Sequence, residues 1–484
     1  MPIYSYGRAL TLNAERNPDA VAFILEGQSA TFGELDASSN RRARAFARLD
    51  VSEGDFVTIA LPNSLEFVES LFACWKLGAT PQPISARLPE VERSAIIELV
   101  DPKLILGVEP RGGRISLAEG FDVSDEDSGG LPDKVSKHRI AICSGGSTGR
   151  PKVVVDHIPA QVDPEIPHHG LGSDASILVP GPLYHSGPLI NCLTVLLLGG
   201  KVVAMSRFDA RESLALIAKH RLRLAIVVPT MLLRIWKLPE EERKAADLSS
   251  IHRVISGSAT LPNWLQREWI EWIGPDRVWE FYGGSERIGG TLISGREWLE
   301  KPGSVGRVTH GRKLRVLDSA GQDLGPGEIG DVYFMPPDGP GSTYHYLGAE
   351  PRRTPDGWET LGDMGRLDED GYLFLVDRRT DLIICGGANI YPAEVEGAIE
   401  SHPEVHSCAV IGLPDEDLGA RVHAIVQTVA PVEADELRSF LADLLVRYKI
   451  PRSFEFVEEP LKDDAGKVRR RALRDARVSE SAGG

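Results

Sequence analysis

The residues best able to do chemistry lie in five separated segments of a 484-residue chain. The first, Ile140–Val155, reads I-A-I-C-S-G-G-S-T-G-R-P-K-V-V-V. Its glycines Gly145, Gly146 and Gly149 let the backbone turn and bring N–H groups close to an anion. Ser144, Ser147 and Thr148 add hydroxyl donors, and Lys152 adds charge. These are the parts of a phosphate cradle, although a Gly-rich surface turn has a similar composition. It is not a Walker A loop, because Arg150 and Pro151 separate Gly149 from Lys152. The second segment, Val278–Gly290, contains F-Y-G-G-S-E. Tyr282 beside the Gly283–Gly284 pair can stack on a flat ring, and Glu286 can hold a Mg²⁺ that neutralises phosphate charge; a turn with a solvated glutamate is the alternative. In the third, Trp358–Asp363, a carboxylate at a strand end can accept ribose hydroxyls, or simply cap a turn. The fourth, Asp377–Glu396, is D-R-R-T-D-L-I-I-C-G-G-A-N-I-Y-P-A-E-V-E, and the fifth, Asp463–Arg474, is a basic run in an acidic chain. Lys467, behind Gly466, can reach a distant site from a mobile loop, or belong to a solvated basic helix.

These segments need a scaffold, and the intervening sequence predicts an α/β one. Short apolar runs at Ala20–Leu25, Phe56–Leu61, Ser176–Pro180, Lys201–Met205, Leu224–Val228 and Arg253–Ile255 read as strands. Thr31–Phe46, Glu66–Leu77 and Arg211–His220 carry helical spacing between them. That alternation predicts crossovers and a largely parallel sheet. From Gly311 the strands shorten and Gly and Pro become dense, which predicts a β-rich subdomain over 311–377. After it come a strand (Leu382–Cys385), a helix (Pro392–Ser401), two strands (Ser407–Leu413, Val422–Val429) and a helix (Glu433–Arg447), a small α+β unit. The tail after Arg474 reads as frayed. The expected division is therefore a large N-terminal domain at 1–377, a hinge at 378–381 and a C-terminal domain at 382–484.

Composition narrows the partners. Lys plus Arg number 54 against 70 Asp plus Glu, a formal charge of −16, with 42% hydrophobic residues. Such a chain is globular, and its charge argues against nucleic acid or an anionic membrane as a partner. No apolar stretch approaches the ~20 residues of a membrane helix. Cys74, Cys143, Cys192, Cys385 and Cys408 show neither paired nor zinc-ligand spacing, which with the absence of a secretory leader points to a reducing cytoplasm.

Taken in order, the five segments resemble the motifs of the adenylate-forming superfamily of acyl-CoA synthetases, peptide-synthetase adenylation domains and luciferases. C-S-G-G-S-T-G-R-P-K is similar to its phosphate loop T-S-G-T-T-G-x-P-K, F-Y-G-G-S-E to Y-G-x-T-E, and L-G-D to T-G-D. The segment from Asp377 is similar to the hinge region of the acid–CoA ligases, and D-A-G-K-V-R-R-R-A-L-R to the terminal lysine motif. The resemblance spans Tyr6 to Leu473. It implies an enzyme that makes an acyl-adenylate from a carboxylic acid and ATP, then passes the acyl group to a thiol. By this resemblance Ser144 to Gly149 and Lys152 would hold phosphates, with Thr148 the principal hydroxyl contact. Gly257, Ser258 and Ala259 would line the adenine, and Tyr282 and Gly283 would pack on it. Glu286 would bind Mg²⁺, Asp363 and Arg378 the ribose, and Lys467 would bridge the carboxylate and the α-phosphate. In the similar P-x-F-H motif, His185 would stand near the thiol's approach. The pantetheine arm would pass the backbone of Gly386 and Gly387, and the small domain would pivot at Thr380. The acyl pocket would be walled by Leu183–Asn191, Thr230–Leu233 and the Gly283–Gly290 neighbourhood, mostly apolar.

The chain departs from the family at several points. Thr380 replaces the usual Asp or Lys pivot, and the phosphate loop has fewer hydroxyls, with Cys143 and Gly146 in place of threonines. The expectation is an ATP- and Mg²⁺-dependent acid–CoA ligase for a hydrophobic acid. The stretch Tyr346–Pro351 resembles ligases of bile acids and other bulky acids. An acyl-AMP ligase loading a carrier protein and a catalytically silent nucleotide-binding homologue are the alternatives, and a homodimer is a fair expectation.

Overall fold

A computed structural model describes residues 3–108, 113–144, 151–309, 311–415, 417–463 and 466–482. Of the candidate phosphate loop, Gly145, Gly146, Ser147, Thr148 and Gly149 lie outside the described residues, as does the side chain of Ser144.

The expected apolar runs become the centre of a nine-stranded sheet. Its order is 307–308, 290–294, 278–283, 253–256, 224–227, 176–179, 201–204, 21–25, 28–31. The strands from Val278–Gly283 to Val21–Leu25 run parallel, and only the flanking strands are antiparallel. Parallel strands are covered on both faces, so they read as unbroken apolar runs. Ile177, Leu178 and Val179 are accordingly no more than 1% exposed. A second, four-stranded parallel sheet holds Phe56–Ile59 and Thr80–Pro83. The expected helices are present and well started. Phe32–Arg48 opens on a Thr31–Glu34 capping box, and Leu65–Lys76 on a Ser64 cap. Such caps satisfy N–H groups that a first helical turn leaves unpaired.

The β-rich region forms a four-stranded antiparallel sheet, Lys313–Leu317, Gly330–Met335, Asp363–Leu367 and Leu373–Arg378. It is not self-contained. Tyr344–Leu347 leaves it to pair with Lys152–Asp156, in a three-stranded sheet that also holds Ala141–Ser144. The C-terminal unit packs helices Pro392–Glu400, Ala434–Ala442 and Arg470–Ala482 with strands Val405–Asp415, Gly419–Thr428 and Ser453–Val457. Two expectations fail there. The helix begun near Glu433 stops at Ala442. The tail is not frayed: Leu473 and Val478 pack on Ile411, Leu413 and Ile425, and Arg477 holds Glu455 at 2.6 and 2.5 Å.

Candidate active site

The ends of the candidate phosphate loop are fixed by strand pairing, with Ser144 opposite Lys152. Lys152 then points into a charged cluster. Its ammonium lies 3.0 Å from the Tyr346 hydroxyl and 3.5 Å from the Glu286 carboxylate. Tyr346 donates to the same Glu286 oxygen at 2.6 Å. Burial and the neighbouring Glu286 hold the Tyr346 phenol far above its ordinary pKa, so it stays a donor. Sequence reasoning missed this role of Tyr346. Its partners are about 60 and 194 residues away in the chain, and nothing local marks it beyond the Tyr-His-Tyr alternation of its strand.

Glu286 is 8% exposed, and its backbone carbonyl accepts from Thr343 at 2.8 Å. The turn before it needs glycine, since a Cβ on Gly284 would come within 2.7 Å of Glu286 Oε2. Mg²⁺ is typically held by one or two carboxylates plus substrate phosphates. Among the described residues no group of three or more His, Cys, Asp or Glu could hold a metal. A single buried carboxylate beside Lys152, where the glycine-rich loop returns, fits an ion completed by phosphate oxygens.

A second cluster assembles from four further strands. Gly257, Ser258 and Ala259 follow the strand Arg253–Ser256, with Ser258 at a positive φ of 75°. Tyr282 donates to Asp363 Oδ2 at 2.8 Å. Arg378 meets Asp363 Oδ1 at 3.3 Å, because Asp363 and Arg378 are partners across an antiparallel pair. Burial and the Asp363 charge raise the Tyr282 phenol, so it remains protonated. Asp363 thus sits between a neutral donor and a cation, with lone pairs left to accept more hydrogen bonds.

The expected acyl-pocket walls also converge. Ser186 and Ser285 share a hydrogen bond of 3.0 Å, and a Cβ on Gly181 would lie 3.1 Å from Pro188 and 3.8 Å from Met231. His185 precedes the helix Ser186–Leu197, its ring 4.6 Å from that of Tyr184. Asn63 holds the segment in place, donating to the Gly181 and Met205 carbonyls and accepting from Leu183 N–H. Cys143 is no nucleophile candidate: burial pushes its thiol up to about 12.

Lys467 reaches this cleft from the C-terminal unit. Gly466 has φ +73°, and a Cβ there would lie 3.0 Å from the Thr230 hydroxyl and 3.3 Å from Val228. Only glycine allows that approach at that backbone angle. The Lys467 side chain keeps access to solvent in the cleft. The protein around it and the Arg378 charge push its ammonium pKa down, while Asp463 and Glu286 oppose them. Arg469 pairs with Glu92 at 3.3 Å, and Lys237 donates to the Val405 carbonyl, so further contacts join the two units. Gly386 and Gly387 are not part of the cluster. They form the exposed tip of a hairpin between Ile383–Cys385 and Ala388–Ile390. Thr380 is exposed, its hydroxyl on Asp381.

The model of the AMP-binding enzyme family matches residues 10–346, and that of the AMP-binding enzyme C-terminal domain matches 394–467. The chain is 33% identical to a feruloyl-CoA synthase of Amycolatopsis sp, over 94% of this chain and 95% of that one. It is 31% identical to the 2-succinylbenzoate–CoA ligase of Bacillus licheniformis, over 96% and 98%. It is 30% identical to the fatty acid–[acyl-carrier-protein] ligase ScoC of Streptomyces coeruleorubidus, over 98% and 96%. Among solved structures, o-succinylbenzoate CoA synthetase of Bacillus subtilis with its acyl-adenylate OSB-AMP superposes with a TM-score of 0.81 at 27% identity, covering 98% and 99%. The same enzyme with ATP and a magnesium ion gives 0.80 at 27% identity, covering 98% and 100%. These relatives lend the expected bile-acid likeness no support, and the stretch from Tyr346 that suggested it directs that tyrosine to Glu286. The chain belongs to the AMP-binding enzyme family, as an AMP-forming ligase of the acid–CoA branch.

Proposed function

We propose that this enzyme activates a hydrophobic carboxylic acid bearing an aromatic ring and transfers it to CoA. The observation that carries the reading is the meeting of Lys152, Glu286, the Tyr282–Asp363–Arg378 set and Lys467 at one cleft. In the first step a carboxylate oxygen attacks the α-phosphorus of ATP, and the bond to the bridging oxygen breaks to release pyrophosphate. Two anions must approach, so the main task is to offset charge and align them. Lys467 serves the carboxylate and α-phosphate, Lys152 the outer phosphates, and Asp363 with Arg378 the ribose. Glu286 would hold Mg²⁺, which when bound would supply further positive charge to the phosphates. In the second step the CoA thiol attacks the acyl carbonyl, AMP leaves with the mixed-anhydride oxygen, and the thiol proton passes to solvent. His185, at the pocket side of the cleft, borders that approach, and the Gly386–Gly387 tip would line the pantetheine path after the C-terminal unit turns about Thr380.

The aromatic class is supported by the feruloyl and succinylbenzoate relatives and by the apolar wall segments. Similarity to ScoC favours a second reading, with a carrier protein as acceptor. Acid-dependent exchange of pyrophosphate into ATP, run across aryl, cinnamyl, fatty and steroid-side-chain acids, tests the first step. Aryl acids are expected to give the fastest exchange. The accepted acid is then offered with CoA or a phosphopantetheinylated carrier protein. Thioester on the carrier alone would replace the CoA reading, and no exchange with any acid would refute both.

A further inference from the structure

The helix Pro392–Glu400 opens without a side-chain cap from its own N-terminal residue, Tyr391. Its orphan N–H at Ala393 is taken instead by Asp377, whose Oδ2 accepts it at 2.9 Å. Asp377 lies on the other side of the hinge. Its strand, Leu373–Arg378, is the last of the β-rich sheet. The next residue but one, Arg379, is still tied to the large domain, through its N–H to the Gly362 carbonyl at 3.2 Å and its guanidinium to Asp331 at 2.6 Å. Asp381 is already tied to the small domain, by Arg470 at 3.0 Å. Only Thr380 stands between the two sets of ties, so the bond from Asp377 to Ala393 crosses the pivot.

Alternation along the strand gives the crossing its meaning. Successive side chains point to opposite faces. Arg378 turns to Asp363 in the cleft, while Asp377 turns to the small domain. We infer that Asp377 is a positioning residue for adenylation: by capping the helix Pro392–Glu400 from across the hinge, it holds the small domain where Lys467 enters the cleft. The inference rests on the acyl-adenylate reading above. Arg470 supports the cap, bridging Asp381 and Glu396 Oε2, the latter at 2.7 Å, beside it. Burial raises the Asp377 carboxyl to about 6, so at neutral pH it is still mostly a carboxylate and Oδ2 keeps its lone pairs for the Ala393 N–H.

The test compares both half-reactions in Asp377→Ala and Asp377→Asn. Loss of an N-terminal cap costs ~1 kcal/mol, and asparagine caps about as well as aspartate. Asp377→Ala is therefore expected to slow pyrophosphate exchange roughly fivefold, with thioester formation from supplied acyl-AMP unchanged or faster. Asp377→Asn is expected to recover exchange. A variant that merely unfolds the small domain would lose both half-reactions together, and that result overturns the inference, as does an alanine variant that behaves like wild type or an asparagine variant that behaves like alanine. Docking is read independently of catalysis by the rate at which a short thiol crosslinker joins a Glu92→Cys, Arg469→Cys pair. Asp377→Ala should slow that crosslink and Asp377→Asn should not. If the wild type shows no exchange with any acid, the acyl-adenylate reading fails, and the crosslinking rates still decide whether Asp377 holds the small domain in place.

Discussion

Tyr346 shows how much of the site depends on one uncharged side chain. It donates to Glu286 and receives Lys152, which itself pairs with the same carboxylate oxygen at 3.5 Å, so it fixes how the carboxylate and the ammonium face each other. On the proposed function Glu286 would hold Mg²⁺, so its orientation matters. Partners of this kind, which orient a ligand without touching the metal, change metal affinity by ~10–100-fold when removed. Tyr346→Phe is therefore expected to raise the Mg²⁺ concentration for half-maximal exchange by about tenfold or more, with the saturated rate much less affected. An unchanged Mg²⁺ requirement would show that Tyr346 does not position Glu286. Cys143 gives the converse prediction. Its thiol, held near 12, is protonated at neutral pH, so Cys143→Ala should keep most of the exchange activity and the enzyme should form no acyl-thioester with itself. Residue types at Lys152, Glu286, Asp363, Arg378 and Lys467 were legible in sequence, since each sits in a motif whose composition matches its chemistry. Tyr346 and Asn63 were not, because their partners are set by strand pairing and loop packing far along the chain.

At the scale of elements, legibility followed pattern. Parallel strands such as Ser176–Val179 announce themselves because both faces are covered. The helix Ser186–Leu197 escaped, because Leu189, Cys192, Leu193, Val195, Leu196 and Leu197 are all buried, and a helix apolar on several sides has no clear stripe. The tail was misread because its few apolar residues are diluted by arginines, one of which, Arg477, is itself a packing partner of Glu455. The glycine pair Gly386–Gly387 stood out in sequence but the hairpin it closes did not, and the turn's geometry supports a test. Both glycines have positive φ, 55° and 81°, as a two-residue hairpin turn requires. Gly387→Leu would strain that turn by ~1–2 kcal/mol and place a side chain at an exposed tip. Thioester formation from supplied acyl-AMP should fall by roughly 10²-fold, as small misplacements near a reacting group do, while exchange stays near wild type. Loss of exchange to the same degree would remove the tip from the acceptor path.

At the scale of the molecule, a chain with a net charge of −16 handles anions by local means. Lys152, Arg378 and Lys467 are collected from three segments into one cleft, where Glu286, Asp363 and Asp463 offset their charge. Lys467 is the group whose presence there depends on how the two domains sit. In this structure the small domain presents it to the cleft and leaves the Gly386–Gly387 tip exposed, the arrangement the proposed function assigns to the first half-reaction. On the proposed function this one docked lysine serves adenylation and not thiol transfer. Lys467→Ala separates the two most directly, with pyrophosphate exchange and thioester formation from supplied acyl-AMP measured on the same preparation. Exchange is expected to fall by about 10²–10³-fold, the loss seen when one transition-state donor is removed, with thioester formation near wild type. Equal loss in both half-reactions, or exchange that survives the substitution, would contradict it.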